Sequence, residues 1–317
     1  MTPQAALHNE VFRAYFLIVL GVLAVAGAAI AFLKWGLKKD VAGVWTTYRS
    51  WLVMAPLLFG TVFGGRVAVI VFFCVIAALG FKEFARATGL YRDWWATGAV
   101  YMGIAAVGVA CLMKQPQGEE AGDGWYGLFV ALPVYAVALI FLIPILRNRV
   151  QGQLQAVSLA IVGFVYFGWM FGHLAFLANA EHAYGYLLYV LFATELNDVA
   201  AFTCGRLFGR RPLRNNISPK KTWEGALGAL LVSMTLPWLL SFSIPHFNAT
   251  QLILAGLIVG VGGQIGDLAI SVIKRDIGIK DMGSNIPGHG GILDRIDSLI
   301  YVAPLFFHMA GYFYPLR

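Results

Sequence analysis

The stretch YGLFVALPVYAVALIFLIPI at positions 126–145 decides the fold class, because it contains no Asp, Glu, Lys, Arg or His. The hydrocarbon of a bilayer is about 30 Å thick, and a helix needs roughly 20 mostly apolar residues to cross it. This stretch therefore predicts a transmembrane helix. Of the 317 residues, 59% are apolar and 12% are charged, whereas soluble domains have about 45–50% and roughly 25%. The composition excludes soluble, disordered and collagenous proteins and predicts an all-α, polytopic integral membrane protein.

Nine further apolar runs extend this prediction to about ten transmembrane helices. They lie near 11–33, 50–65, 67–81, 94–113, 155–178, 185–204, 223–243, 249–273 and 297–314. The cationic residues of the first run follow it instead of preceding it, which is the wrong charge order for a signal peptide. Three cysteines, Cys74, Cys111 and Cys204, have no paired or metal-type spacing and are interpreted as buried thiols.

Loop charge predicts the orientation of these helices. Every second loop is basic, and together these loops hold 19 of the 23 Lys and Arg residues: 34–49, 82–93, 146–153, 204–222 and 274–296. Cytoplasmic loops of membrane proteins accumulate Lys and Arg. We therefore expect the basic loops in the cytoplasm and both termini outside. The same rule explains the net charge of +7 without a nucleic-acid partner.

Ionisable residues within the apolar runs concentrate in the last third of the chain. A carboxylate at membrane depth is costly unless it is paired or hydrated, so it indicates function by default. For any single residue, a structural carboxylate satisfied by a neighbouring helix remains the alternative. The pattern divides the chain into a scaffold of six helices at 1–183 and a catalytic region of four helices at 184–317. The five carboxylates are Glu195, Asp198, Glu224, Asp267 and Asp297.

Helical spacing predicts a metal site among these carboxylates. Asp267, Ser271 and Lys274 are spaced four and three residues apart, and so form one stripe; Asp294 and Asp297 share a face at the start of the last helix. Carboxylate oxygens are hard ligands of the kind that Mg²⁺ takes, usually together with substrate phosphates. We therefore predict that Asp267, Asp294 and Asp297 hold Mg²⁺.

Two basic loops add candidate phosphate sites. In Ser218-Pro-Lys-Lys-Thr-Trp-Glu-Gly, the serine is a candidate cap of the next helix, which would place Lys220, Lys221 and Thr222 at a helix N-terminus. The loop after Lys274 is rich in glycine, whose backbone amides can approach an anion closely. A loop that is basic only because it is cytoplasmic would look similar, and that alternative stays open for each loop alone.

The combined pattern resembles a known family. The segment Ser271-Val-Ile-Lys-Arg-x4-Lys280-Asp281-x-Gly283-x2-Ile286-Pro287-x-His289-Gly-Gly-x2-Asp294-Arg295-Ile296-Asp297 is similar to the signature of the phosphatidate cytidylyltransferases, or CDP-diacylglycerol synthases. The stretch 198–225 resembles a second block of that family, except that Val199 stands where a threonine is expected. This resemblance covers roughly the last 120 residues.

The resemblance implies a reaction in which CTP and phosphatidate give CDP-diacylglycerol and pyrophosphate, as a step of phospholipid biosynthesis. It implies Mg²⁺ as the cofactor and leaves open a monovalent cation such as K⁺ beside it. Membrane lipids are expected partners, nucleic acid is not, and a homodimer is left open. The expected location is the bacterial inner membrane, with the site facing the cytoplasm. The implied catalytic residues are Lys274, Arg275, His289, Asp294 and Asp297, and the implied substrate-binding residues are Asp198, Ser218, Lys220, Lys221, Thr222, Glu224, Ser271, Lys280, Asp281 and Arg295.

Several alternatives remain at this stage. His289 either donates to the leaving pyrophosphate or braces the glycine-rich turn. Val199 leaves open a related nucleotidyltransferase that acts on another lipid phosphate. A transporter of anionic lipid, or one coupled to ions, also places polar groups at membrane depth, but no second matching half is visible in the sequence. A lipid kinase or a CDP-alcohol phosphotransferase is a further enzyme alternative.

Overall fold

The computed structural model describes residues 1–115, 123–283 and 290–314, and helices dominate it, which confirms the all-α class. The α-helices are α1 Pro3–His8, α2 Glu10–Ala31, α3 Ala42–Phe63, α4 Arg66–Ala87, α5 Trp94–Leu112, α6 Tyr126–Leu146, α7 Gln153–Gly163, α8 Phe171–Leu177, α9 Ala183–Phe208, α10 Trp223–Leu239, α11 Ala249–Leu257, α12 Gly263–Asp276 and α13 Leu293–Phe313. Short 3₁₀ turns lie at Leu90–Arg92 and Ser241–Ser243.

Three helices continue through segments of π-helix. The segment Phe32–Gly36 extends α2, Phe164–Met170 joins α7 to α8, and Ile258–Gly262 joins α11 to α12. As a result, Gln153–Leu177 and Ala249–Asp276 are continuous helices of 25 and 28 residues. Each is long enough to cross a bilayer.

Eight helices in the described part of the chain are long and apolar enough to span a membrane, which confirms a polytopic membrane protein. Helices α3 and α10 correspond to the other two predicted spans. Helix α10 has only 17 residues, and the first half of α3 carries Thr46, Thr47 and Arg49. Ten crossings therefore stay a prediction.

Contacts between loops group the non-basic loops at one end of the helix bundle. Arg66, after α3, pairs with Asp123 and donates a hydrogen bond to Asn179 after α8. The Tyr184 hydroxyl donates to the backbone carbonyl of Thr2. The N-terminus and the loops before α4, α6 and α9 therefore lie together, as the alternation of loop charge predicts.

The opposite end carries the basic loops and is called the basic end below. Arg147, after α6, pairs with Asp93 before α5, with Nη1 2.7 Å from Oδ2. Partial burial alone would raise the pKa of Asp93, but hydrogen bonds from Arg147 and from backbone amides, with the charge of Arg147, lower it below its ordinary value. Arg275, in the last turn of α12, donates to the carbonyl of Ile217.

The predicted helix start at Ser218 is wrong. Ser218–Thr222 forms strand β2, which pairs antiparallel with β1, Pro212–Arg214. Proline disfavours helical dihedrals in the residue before it, so Ser218 is extended ahead of Pro219. Helix α10 begins at Trp223, and the Thr222 hydroxyl caps it by accepting a hydrogen bond from the Gly225 amide at 3.2 Å. Lys220 and Lys221 therefore project from a hairpin strand at the basic end.

Two glycines bring the helices of the C-terminal region into backbone contact. A Cβ atom on Gly266 would lie 2.5 Å from the carbonyl oxygen of Asp297, and one on Gly225 would lie 2.7 Å from that of Ala201. Only glycine permits these approaches without movement of a backbone. Helix α12 thus packs directly on the first turns of α13, and α10 packs directly on α9.

Candidate active site

Three carboxylates from three helices lie near one another towards the basic end: Asp198 of α9, Asp267 of α12 and Asp297 of α13. This set is called the acidic cluster below. Each carboxylate is close enough to the other two for their charges to repel. Asp297 is buried, with 8% of its surface exposed. Like charges at this separation are unfavourable, so the cluster favours a cation.

Helix packing explains why these three residues come together. Gly266, which allows α12 to touch α13, immediately precedes Asp267 and faces the backbone of Asp297. Ser298, the next residue of α13, donates its hydroxyl to both carboxylate oxygens of Asp198, at 3.3 and 3.2 Å. Its backbone amide donates to Oδ1 of Asp297 at 2.8 Å. One residue of α13 therefore holds two members of the cluster in place.

Asn197 and Ser233 extend the hydrogen bonds around the acidic cluster. The Ser233 hydroxyl donates to Oδ1 of Asn197 at 3.0 Å, and the Asn197 amide donates to Asp198 at 3.4 Å. Both residues are fully buried. Sequence reasoning missed Asn197, Ser233 and Ser298. Asn197 and Ser298 each adjoin a predicted aspartate, and the signal that could have identified all three was a polar residue within an apolar run.

Lys221 connects the hairpin to the acidic cluster. Its Nζ lies 2.5 Å from Oδ2 of Asp267, while the Ser271 hydroxyl donates to Oδ1 of the same carboxylate at 3.3 Å. Ser271 lies one turn beyond Asp267, as the predicted stripe requires. Lys221, which comes from a separate loop, therefore lies in the same site as the carboxylates.

Asp294 pairs with a lysine and with two backbone amides. Its Oδ1 accepts a hydrogen bond from Lys274 Nζ at 2.8 Å. Its Oδ2 accepts from the backbone amides of Met282 and Gly291, at 3.2 and 2.9 Å. Both oxygens therefore have donors, and Asp294 ties α12 and the following loop to the start of α13. Although Asp294 and Asp297 lie three residues apart, only Asp297 joins the acidic cluster.

Arg295 supplies a positive charge with spare donor capacity. Its charge acts on Glu195 and Asp198. Its Nε is buried and has no hydrogen-bond partner among the described residues. A buried donor without an acceptor is costly, so this group is suited to an anionic ligand beside the acidic cluster.

The other predicted binding residues either have partners outside the acidic cluster or are exposed. Arg275 donates to the carbonyls of Ile217 and Ile279, and Glu224 accepts from the backbone amides of Arg210 and Arg211. Ser218 pairs with Arg214 in the hairpin. Lys220, Lys280 and Asp281 are exposed. His289, with either of its predicted roles, lies outside the described residues.

Glu83 is a functional candidate that sequence reasoning assigned to a loop of the scaffold. Helix α4 extends to Ala87, so Glu83 lies on a helix and is buried, with 6% of its surface exposed. Its carboxylate accepts hydrogen bonds from the amides of Ile292 and Leu293, at 3.0 and 2.9 Å. The signal was present as an acidic residue at the edge of an apolar run.

The acidic cluster has the donor chemistry of a divalent-cation site. Carboxylate and hydroxyl oxygens are the ligands that Mg²⁺ prefers. Within the described ranges, no three Asp, Glu, His or Cys side chains converge closely enough to hold one ion, and Lys221 neutralises Asp267.

Comparisons with known proteins agree with the family that the motifs resemble. The family model described as "Cytidylyltransferase family" matches residues 45–313, so the likeness extends into the N-terminal helices. A phosphatidate cytidylyltransferase of Staphylococcus haemolyticus is 37% identical over 190 residues, which cover 59% of this chain and 71% of that protein. One of Staphylococcus aureus is 36% identical over 206 residues, or 64% and 76%. The uncharacterized protein YnbB of Escherichia coli is 31% identical over 288 residues, or 89% and 92%.

Proposed function

The chain belongs to the cytidylyltransferase family, in its CDP-diacylglycerol synthase branch, and on this premise we propose that it transfers the cytidylyl group of CTP to the phosphate of phosphatidate. The products are CDP-diacylglycerol and pyrophosphate, as in phospholipid biosynthesis. The observation that carries the proposal is the acidic cluster with Lys221, Lys274 and Arg295 around it, at one end of a bundle of membrane helices.

The reaction needs positioning and charge neutralisation more than a strong base. A phosphate monoester is mostly ionised near neutral pH, so phosphatidate already carries its nucleophile. The barrier lies in bringing two anions together and in stabilising charge on the α-phosphorus and the leaving pyrophosphate. In the proposed complex, Lys221 and Arg295 neutralise phosphates beside the acidic cluster. Lys220, which is exposed on the same hairpin, extends the cationic surface towards CTP in solution.

A divalent cation, proposed as Mg²⁺, would be held by Asp267 and Asp297, with Asp198 beside them. Such an ion neutralises phosphate oxygens and orients them for in-line displacement. Asp267 would hold the cation, and Lys221, which pairs with Asp267 in the structure, would bind a phosphate oxygen. Asp294 is assigned to its pairing with Lys274, because both of its oxygens already have donors.

The membrane supplies the lipid substrate, and the cytosol supplies CTP. We place the basic end in the cytoplasm because most Lys and Arg residues lie in loops of that end. The phosphate of phosphatidate lies in the headgroup plane, where the helix ends of the site are expected. The proposed location is the bacterial inner membrane, with both termini outside.

Val199 favours a second candidate, a nucleotidyltransferase that accepts another lipid phosphate. It directly follows Asp198, it is 56% exposed, and it lacks the hydroxyl that the family resemblance predicts there. Exposed positions beside the acidic cluster are available to the acceptor lipid. This candidate keeps the cytidylyl transfer and changes only the acceptor.

Substrate selection by the purified protein tests the proposal. The protein in detergent micelles is given CTP, Mg²⁺ and one lipid phosphate at a time: phosphatidate, lysophosphatidate, ceramide 1-phosphate or a polyprenyl phosphate. Mass spectrometry of the lipid fraction should detect CDP-diacylglycerol with phosphatidate at the highest rate. A faster reaction with another lipid would establish the second candidate, and no liponucleotide from any of them would overturn the proposal.

A further inference from the structure

The scaffold contributes one carboxylate to the loop that precedes α13. Glu83 lies on α4, more than 200 positions before the amides it binds, yet Oε1 accepts from Ile292 at 3.0 Å and Oε2 accepts from Leu293 at 2.9 Å. These amides lie at the start of α13, where backbone N–H groups have no partner within the helix. A negative charge is also favourable at the positive end of the helix dipole.

Two glycines enclose this carboxylate. A Cβ atom on Gly283 would lie 2.7 Å from Oε1 of Glu83, and one on Gly291 would overlap Oε2. Gly283 and Gly291 also lie against each other, since that Cβ on Gly283 would be 3.3 Å from the Cα of Gly291. The two sides of the loop after α12 therefore meet on the Glu83 carboxylate, and neither position has room for a side chain.

The residues held in this way are those of the proposed chemistry. Asp294 lies one residue beyond Leu293 and holds Lys274, and Asp297 lies one turn farther along α13 within the acidic cluster. Both aspartates lie in the first two turns of α13, so a shift of the start of this helix would displace both. In contrast, Lys220 and Lys221 lie on a separate element, the β1–β2 hairpin.

We propose that Glu83 is a positioning residue. Its carboxylate, enclosed by Gly283 and Gly291, accepts two backbone hydrogen bonds at the start of α13 and thereby fixes the positions of Asp294 and Asp297. The inference rests on the proposed cytidylyl transfer. A displacement of about 1 Å at a reacting group can cost about a hundredfold in rate. Glu83→Gln keeps the length but loses one acceptor and the charge, and Glu83→Ala loses both acceptors.

The first test separates positioning from stability. The kcat of Glu83→Gln should fall at least tenfold and that of Glu83→Ala further, while the KM for CTP changes less than threefold, because the hairpin lysines are untouched. Val69→Ala, at a fully buried position of the same helix, is the matched control that lowers the melting temperature without touching the loop. A kcat for Glu83→Gln within twofold of wild type, or no lower than that of the control at equal loss of melting temperature, would overturn the inference. An inactive wild-type protein would instead overturn the proposed function.

A double-mutant cycle supplies the second test. In the wild-type background, Gly283→Ala places a methyl group against Glu83 and should lower kcat/KM at least tenfold. In the Glu83→Ala background, that obstacle is gone, and the same change should cost less than threefold. Coupling of this kind requires the two residues to act through contact. Equal effects in both backgrounds would contradict the proposed arrangement.

Discussion

Replacing Asp294 with Asn distinguishes an ion-pair partner of Lys274 from the metal ligand that the sequence predicted. The side chains of Asp294 and Lys274 are only 8% and 10% exposed, and their charged atoms lie 2.8 Å apart. Breaking a buried pair by removing one partner leaves the other charge buried and typically costs about 3–5 kcal/mol. Asn also retains one carbonyl oxygen where Asp294 uses two, so either Lys274 or the amides of Met282 and Gly291 lose their acceptor.

We therefore expect Asp294→Asn to lower the unfolding free energy by about 3–5 kcal/mol. Its turnover should also fall, and added Mg²⁺ should not restore the rate. Adding Lys274→Met to the variant removes the unpaired ammonium and should recover at least half of that loss, without restoring turnover. The exposed Asp276 of α12 provides a matched control, since Asp276→Asn should change neither property. The measurements are chemical denaturation in detergent and initial rates over a Mg²⁺ titration. A variant with wild-type stability and a rate rescued by raised Mg²⁺ would refute this assignment and make Asp294 a ligand.

Three further results are expected. Lys220→Ala should raise the KM for CTP roughly tenfold, the loss of one charge-assisted contact, with little change in kcat; an unchanged KM would reduce Lys220 to a loop charge. Because the pKa of Asp93 is lowered, its pairing with Arg147 stabilises the fold above about pH 4, and this stabilisation is lost as the pH falls through the pKa of the folded state. The effect on the unfolding free energy is below about 1 kcal/mol. Arg147→Met should abolish this part of the pH dependence. In a cysteine-free background, an impermeant thiol reagent should label Thr250→Cys and spare Gln151→Cys in intact cells, and the reverse pattern would invert the topology.

Composition and loop charge were sufficient to predict the all-α membrane fold and the grouping of loops. The run at 126–145 is too long and too apolar for a structure exposed to water, and in the structure it forms α6. Local pattern failed at Ser218, because hairpin pairing with Arg214 depends on a strand that the hydrophobic pattern of the sequence does not reveal. The number of membrane crossings depends on short or polar helices such as α10. Length alone does not decide whether such a helix crosses the membrane.

The candidate site was only partly accessible from sequence. Spacing placed Asp267 and Ser271 on one stripe, and the hydrogen bond between them follows from one helical turn. Spacing alone could not distinguish Asp294 from Asp297, since both occupy the first two turns of α13 and only tertiary contacts select their partners. Glu83 lies about 200 positions from the loop that it binds, and no local pattern connects the two.

The most direct test of the central claim is the release of pyrophosphate from CTP by the purified protein in vesicles, measured with and without phosphatidate. We predict release that requires both phosphatidate and Mg²⁺ and that equals the CDP-diacylglycerol formed. Asp297→Asn should fold and yet lose at least about a hundredfold in rate, which corresponds to roughly 2.7 kcal/mol of transition-state stabilisation. Pyrophosphate release independent of phosphatidate, or an Asp297→Asn variant with near-normal turnover, would contradict the account.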